Sequence, residues 1–116
     1  MDTFKQYFLK NINEMGETRV PIQMKKQAQQ VLQTAHTAAR GRATPEEMSQ
    51  RMSELAQLHK TLDAYSSEDI KSKIVQKYNQ IKHFLEQPQE EVEITTQNLM
   101  DCVEYITELY EFIIND

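Results

Sequence analysis

Three histidines and one cysteine are the residues best suited to bind a metal or act in catalysis: His36, His59, His83 and Cys102. Each lies in a different predicted helical segment, and helical bundles can build metal sites from facing helices. Metal-binding motifs, however, usually place two ligands close in sequence, as in H-x-x-x-H, E-x-x-H or C-x-x-C. None of these spacings occurs in the chain. The sequence therefore predicts neither a metal site nor a cofactor.

The surroundings of these residues also argue against catalysis. His59 adjoins a stripe of leucines, so we expect a partly buried histidine with a hydrogen-bond partner. Cys102 lies on an apolar stripe without a basic neighbour in sequence to favour its thiolate, so we expect a small core residue. His36 and His83 are expected on polar flanks. Because no nucleophile, base and electrophile converge in the pattern, the sequence predicts a protein that is not an enzyme.

The charge of the chain is divided unevenly along its length. Residues 86–116 contain nine Asp or Glu and no Lys or Arg, whereas the preceding residues contain the other nine acids and all 13 basic residues. The two parts thus carry net charges of −9 and +4. Such an asymmetry concerns partners and association rather than the fold.

Four of these acids are spaced three, four and three residues apart, so they form one continuous line on a helix. We call them the acidic line: Asp101, Glu104, Glu108 and Glu111. The line could be only a solvated face, or it could be neutralised by Lys71, Lys73 and Lys77 of the preceding segment. It could also recognise another protein that has a basic surface, with charge steering the association, and this third interpretation is compatible with either of the others.

A basic group offers a different function. Six residues surround the second predicted segment: Arg19, Lys25, Lys26, Arg40, Arg42 and Arg51. The alternative to a protein-interaction module is a nucleic-acid-binding accessory protein with phosphate contacts at Lys25, Lys26, Arg40 and Arg42. The negative overall charge and the lack of interleaved aromatic residues for base stacking argue against it.

The N-terminal segment carries more apolar surface than one helix face can bury. Its surplus consists of Phe4, Tyr7, Phe8 and Leu9. Docking onto a partner or onto a second copy of the chain would cover this surface, so dimerisation is left open. Ile94, Met100 and Ile114 likewise fall off the core stripe of the last segment.

Five helical segments are predicted from the 3.6-residue period of apolar positions. They lie at about 2–15, at 21–39, from Thr44 to Tyr65, from Ser66 to Pro88, and at 89–114. The last is the most regular, because apolar residues recur every seven positions at Val92, Leu99, Ile106 and Ile113. The second presents four alanines on one flat face, which lets a neighbouring helix approach closely: Ala28, Ala35, Ala38 and Ala39.

The starts of these segments carry capping signals of different strength. Thr44 precedes a proline and is followed three residues later by Glu47, which is a capping box. Ser66 with Asp69 is a weaker version for the fourth segment. Glu93 is expected in the first turn of the fifth, where the helix dipole favours acids.

Short connections between these segments fold consecutive helices antiparallel. The sequence thus predicts an all-α, antiparallel up-down bundle of four long helices plus a short N-terminal helix, as one domain over residues 1–116. No apolar run approaches the length of a membrane span, and one cysteine excludes an internal disulfide. We therefore expect a cytoplasmic protein that binds another protein and serves as a small regulator, adaptor or chaperone-like subunit.

Overall fold

Four α-helices make up the fold. The computed structural model describes residues 20–86 and 93–115, and these contain no strand. The helices are α1 (Ile22–Arg40), α2 (Pro45–Asp63), α3 (Glu68–Glu86) and α4 (Thr96–Asn115). The prediction of an all-α bundle with four long helices is confirmed. The predicted N-terminal helix, with Phe4, Tyr7, Phe8 and Leu9, lies outside the described residues.

The helices pack as a bundle with α4 in contact with all of the others. Connections of four residues, 41–44 and 64–67, link α1 to α2 and α2 to α3. Contacts between α3 and α4 pair Lys77 with Glu108 and Lys73 with Phe112, so these two helices run in opposite directions. Since α2 touches α4 but α1 does not touch α3, α2 and α4 face each other across the short diagonal of the bundle.

The apolar stripe of α4 forms the centre of the core. Leu99 and Ile106 are both fully buried, as their seven-residue repeat predicts. The expectation that Ile94 and Ile114 fall off the core is wrong, because both are buried; Met100 is partly buried against the core. The physical reason at Ile114 is that three helices surround α4, so the buried arc of α4 is wider than one stripe. Ile94 precedes the helix, so the stripe of α4 does not determine its burial.

The hydroxyl N-cap of α2 is confirmed, whereas the cap of α3 lies one residue later than predicted. The backbone N–H of Glu47 donates to Thr44 Oγ1 at 3.1 Å, which is the hydroxyl half of the predicted capping box. At α3 the accepting hydroxyl is Ser67, which receives the N–H of Ile70 at 3.2 Å. The hydroxyl of Ser66 instead donates to the carbonyl of Leu62 at the end of α2.

The start of the last helix corrects the prediction more strongly. Residues 93–95 are not helical, so α4 begins several residues after position 89 and Glu93 precedes its first turn. Thr95 Oγ1 accepts the N–H of Asn98 at 3.1 Å, and Asn98 Oδ1 accepts the N–H of Thr95 at 3.4 Å. This reciprocal pair is a capping box with Asn in place of Glu or Gln, and it stops the helix from extending toward Glu93.

Replacing the hydroxyl cap of α2 should cost measurable stability. We expect Thr44→Ala to lower the free energy of unfolding by about 1 kcal/mol, because the N–H of Glu47 loses its acceptor. Urea unfolding followed by circular dichroism measures the change. Thr37→Ala is the matched control: this exposed threonine lies inside α1, where alanine is the better helix former. Equal losses in both variants would show that the cap does not stabilise the fold.

Candidate functional site

The acidic line lies on the side of α4 that faces away from the core. Glu104 and Glu111 are exposed, and Asp101 and Glu108 are partly buried. From the first to the last of the four, the helix rises about 15 Å. The four carboxylates therefore form one narrow strip along a helix that three others hold in place.

One of the three expected lysine neighbours reaches this strip. Lys77 Nζ lies 2.7 Å from Glu108 Oε2. The hydrogen bond to Glu108 raises the pKa of Lys77 most, and the charges of Glu108, Glu104 and Asp101 raise it further, against the opposing effect of burial. Lys77 therefore experiences the field of three of the four acids.

The other two lysines are engaged elsewhere. Lys73 pairs with Asp69 at 3.1 Å and places its ammonium 5.5 Å from the centre of the Phe112 ring. Lys71 lies 4.0 Å from Glu68. Among the described residues, the acidic line thus forms one ion pair, between Lys77 and Glu108.

The remaining acids differ in their partners. Asp101 accepts a hydrogen bond from Gln97 Nε2 at 2.9 Å. Within residues 20–86 and 93–115, no ion pair or hydrogen bond involves the side chain of Glu104 or Glu111. Glu104 and Glu111 are therefore the two exposed acids of the strip that make no such contact in the described part of the chain.

The basic residues around α1 do not form one patch. Lys26, Arg40 and Arg42 are exposed, but Lys25 is only 5% exposed and burial lowers the pKa of its ammonium. Lys26 and Arg40 lie fourteen residues apart on α1, which is a rise of about 21 Å. Arg51 forms an ion pair with Glu54 at 3.1 Å. Arg19 lies outside the described residues.

A second polar group occupies the junction of α2, α3 and α4. His59 Nε2 lies 3.0 Å from the hydroxyl oxygen of Tyr105, and its ring stacks on Tyr78 with ring centres 5.2 Å apart. The three rings line an open cavity of about 250 Å³ together with Asp63 and Lys71. The prediction of a partly buried His59 with a hydrogen-bond partner is confirmed.

Sequence reasoning did not identify Tyr78 and Tyr105 as members of this junction. A signal was present, because a buried tyrosine needs a partner for its hydroxyl group. Tyr78 donates its hydroxyl to Glu86 Oε2, and burial, followed by this hydrogen bond, raises the pKa of Tyr78 to about 12. Burial lowers the pKa of His59, whereas the charges of Asp63 and Glu86 act in the opposite direction.

The residues first considered as metal ligands remain apart from one another. His36 and His83 are exposed, as predicted. Cys102 is fully buried, and burial raises the pKa of its thiol to about 12, so at neutral pH the sulfur is protonated and shielded. In the described part of the chain, no three His, Cys, Asp or Glu side chains are grouped so that they could hold a metal ion.

Comparisons with known proteins supply no function for this chain. Comparison with models of known families, with curated proteins and with solved structures finds no match. None of the described helices is long and apolar enough to cross a membrane. The function is therefore inferred from the surfaces and contacts described above.

Proposed function

We propose that this chain is a non-enzymatic protein–protein interaction module, a small regulator, adaptor or chaperone-like subunit, that binds a basic partner through the acidic line. The observation that carries the proposal is that Glu104 and Glu111 are exposed and that neither makes an ion pair or a side-chain hydrogen bond with the described residues. A basic side chain on a partner would supply the missing countercharge.

The position of the acids on α4 supports a role outside the chain. The carboxyl end of a helix carries partial negative charge, so acids there are unfavourable. The last turn of α4 nevertheless contains no basic residue, and Glu108 and Glu111 lie in the second half of the helix. An arrangement that does not help the helix itself favours recognition of another molecule.

The packing of α4 suits such recognition as well. Because α4 contacts all three other helices, its carboxylates project from a fixed element, and little ordering is needed on binding. Like charges concentrated on one face also attract an oppositely charged partner over a distance and raise the rate of association.

Two further features belong to the same proposal. The apolar surplus of Phe4, Tyr7, Phe8 and Leu9 is a second surface for the partner or for a second copy of the chain. We infer a cytoplasmic location, because the single cysteine cannot form an internal disulfide of the kind common in secreted small domains.

Reversing the charges of Glu104 and Glu111 tests the acidic line. We expect Glu104→Lys with Glu111→Lys to slow association with the partner at least about tenfold at low salt, because the steering field is lost. The partner is first recovered by affinity capture from cell extract with the unchanged chain. Its association rate is then measured against salt, since screening shortens the range of the field from about 30 Å at 0.01 M to about 8 Å at 0.15 M.

A matched control has the same net charge. Lysine at four exposed glutamines also adds four positive charges, but on α1 and α2 rather than on α3, whose Lys77 reaches the acidic line: Gln30, Gln33, Gln50 and Gln57. We expect this variant to associate more like the unchanged chain than like the charge-reversed one. Equal recovery with all three proteins, and an association rate indifferent to salt, would mean that the acidic line is only a solvated face.

Oligonucleotide binding separates this proposal from the nucleic-acid alternative. Duplex and single-stranded oligonucleotides are titrated at physiological salt against the unchanged chain and against Lys26→Ala with Arg40→Ala and Arg42→Ala. Lys25 is left unchanged because it is buried. Micromolar binding that the three substitutions abolish would overturn the protein-interaction proposal.

A further inference from the structure

One aromatic ring from each of three helices meets at a single point in the bundle. His59 of α2, Tyr78 of α3 and Tyr105 of α4 have ring centres 5.2, 5.5 and 5.8 Å apart. The hydrogen bond between His59 and Tyr105 joins α2 to α4 across the short diagonal of the bundle. This junction is distinct from the acidic line and is not part of the proposed function.

The direction of that hydrogen bond follows from the buried hydroxyl. Tyr105 is only 2% exposed, and His59 Nε2 is the one hydrogen-bond partner of its hydroxyl among the described residues. A buried hydroxyl that only accepted would leave its own hydrogen without an acceptor. Tyr105 therefore donates to Nε2, and the proton of the neutral His59 ring lies on Nδ1.

Protonation of His59 would place a hydrogen on the atom that now accepts. Nε2 could then only donate, so the hydrogen of the Tyr105 hydroxyl would have to leave its present acceptor. The Tyr78 hydroxyl is hydrogen-bonded to Glu86 and not to Tyr105 in the structure. When the ring becomes charged, the bond between α2 and α4 either breaks or reverses, and in both cases the hydrogen of the Tyr105 hydroxyl is left without an acceptor among the described residues.

The groups that face His59 come from every helix packed around it. Asp63 belongs to α2 and Tyr105 to α4, while α3 contributes Lys71, Tyr78 and Glu86. The carboxylates of Asp63 and Glu86 favour the charged ring, but both residues are exposed and burial outweighs them. The fold therefore favours the neutral ring.

We propose that His59 is a pH-sensitive tie: protonation at Nε2 releases the Tyr105 hydroxyl and loosens the junction of α2 with α3 and α4. The cavity of about 250 Å³ at this junction then widens, while the contact of α1 with α4 is kept. Because the pKa of His59 in the fold lies below its ordinary 6.5, the tie is fully present above that pH. It is lost as the pH falls through the lowered value.

Proton NMR of the histidine rings tests the tie directly. We expect His59 to titrate below its ordinary 6.5, because burial disfavours the charged ring. We expect Tyr105→Phe to move the His59 titration upward, because protonation then breaks no hydrogen bond. A His59 midpoint at or above 6.5, or one that Tyr105→Phe leaves in place, would overturn the proposal.

Amide hydrogen exchange, corrected for the intrinsic effect of pH, tests the loosening. We expect the protection of the amides in α2 and α3 to fall between about pH 7.5 and about pH 5. The fall is up to about tenfold for each pH unit by which the pKa of His59 lies below 6.5. His36→Gln should lose as much protection as the unchanged chain, whereas His59→Gln should not lose it. An equal loss in His59→Gln contradicts the proposal, and if that variant does not fold, the Tyr105→Phe titration decides.

Discussion

Shortening Leu99 or Ile106 to alanine is expected to lower the free energy of unfolding by about 2–5 kcal/mol. Both side chains are 0% exposed, and both lie on the face of α4 that the other three helices surround. Removing their methyl groups leaves a cavity that rigid neighbours on three sides cannot fill. The loss therefore includes both the transfer of apolar atoms and the empty space.

Urea unfolding followed by circular dichroism measures the loss at each position. Val75→Ala is the matched control, because this aliphatic side chain is 45% exposed on α3 and its removal leaves no enclosed space. We expect the control to change the free energy of unfolding by less than about 1 kcal/mol. A loss below about 1 kcal/mol at both Leu99 and Ile106 would require a different arrangement of the bundle.

Enlarging Ala35 to leucine is expected to destabilise the bundle by about 1–3 kcal/mol. Ala35 and Ala28, seven residues apart on the same face of α1, are both 0% exposed. They form part of the flat face that lets neighbouring helices approach closely, and α1 packs against α2 and α4. A leucine there has no space and would push the helices apart.

The control adds the same side chain to the outside of the same helix. Gln33 is exposed, so Gln33→Leu should leave the free energy of unfolding within about 0.5 kcal/mol of the unchanged chain. Both variants are compared by thermal and urea unfolding. Equal stability of Ala35→Leu and Gln33→Leu would show that the alanine face of α1 is not closely packed.

The acidic line and the His59 tie share α4 but can be separated by experiment. Glu104→Lys with Glu111→Lys changes exposed charges and keeps the hydrogen bond between His59 and Tyr105. Tyr105→Phe removes that bond and leaves all four acids in place. A failure of partner binding would thus contradict only the proposal for the acidic line. An unaltered His59 titration would contradict only the proposal for the His59 tie.

The sequence by itself determined the elements that depend on local periodicity and capping. Heptad spacing predicted the burial of Leu99 and Ile106, and Thr44 with Pro45 predicted the start of α2. These features are local, because a helix stripe and a cap each involve residues within a few turns of one another. The acidic line belongs to the same class, since its spacing of three, four and three places it on one helix face.

Tertiary structure decided which helices meet and which polar groups are brought together. Only the packing of three helices around α4 explains why Ile114 is buried although it lies off the stripe. Likewise, His59 and Tyr105 are 46 residues apart in sequence, and Lys77 and Glu108 are 31 apart. Each helix turns about its own axis so that it buries the most apolar surface against all of its neighbours together. The apolar pattern of a single segment carries no information about those neighbours.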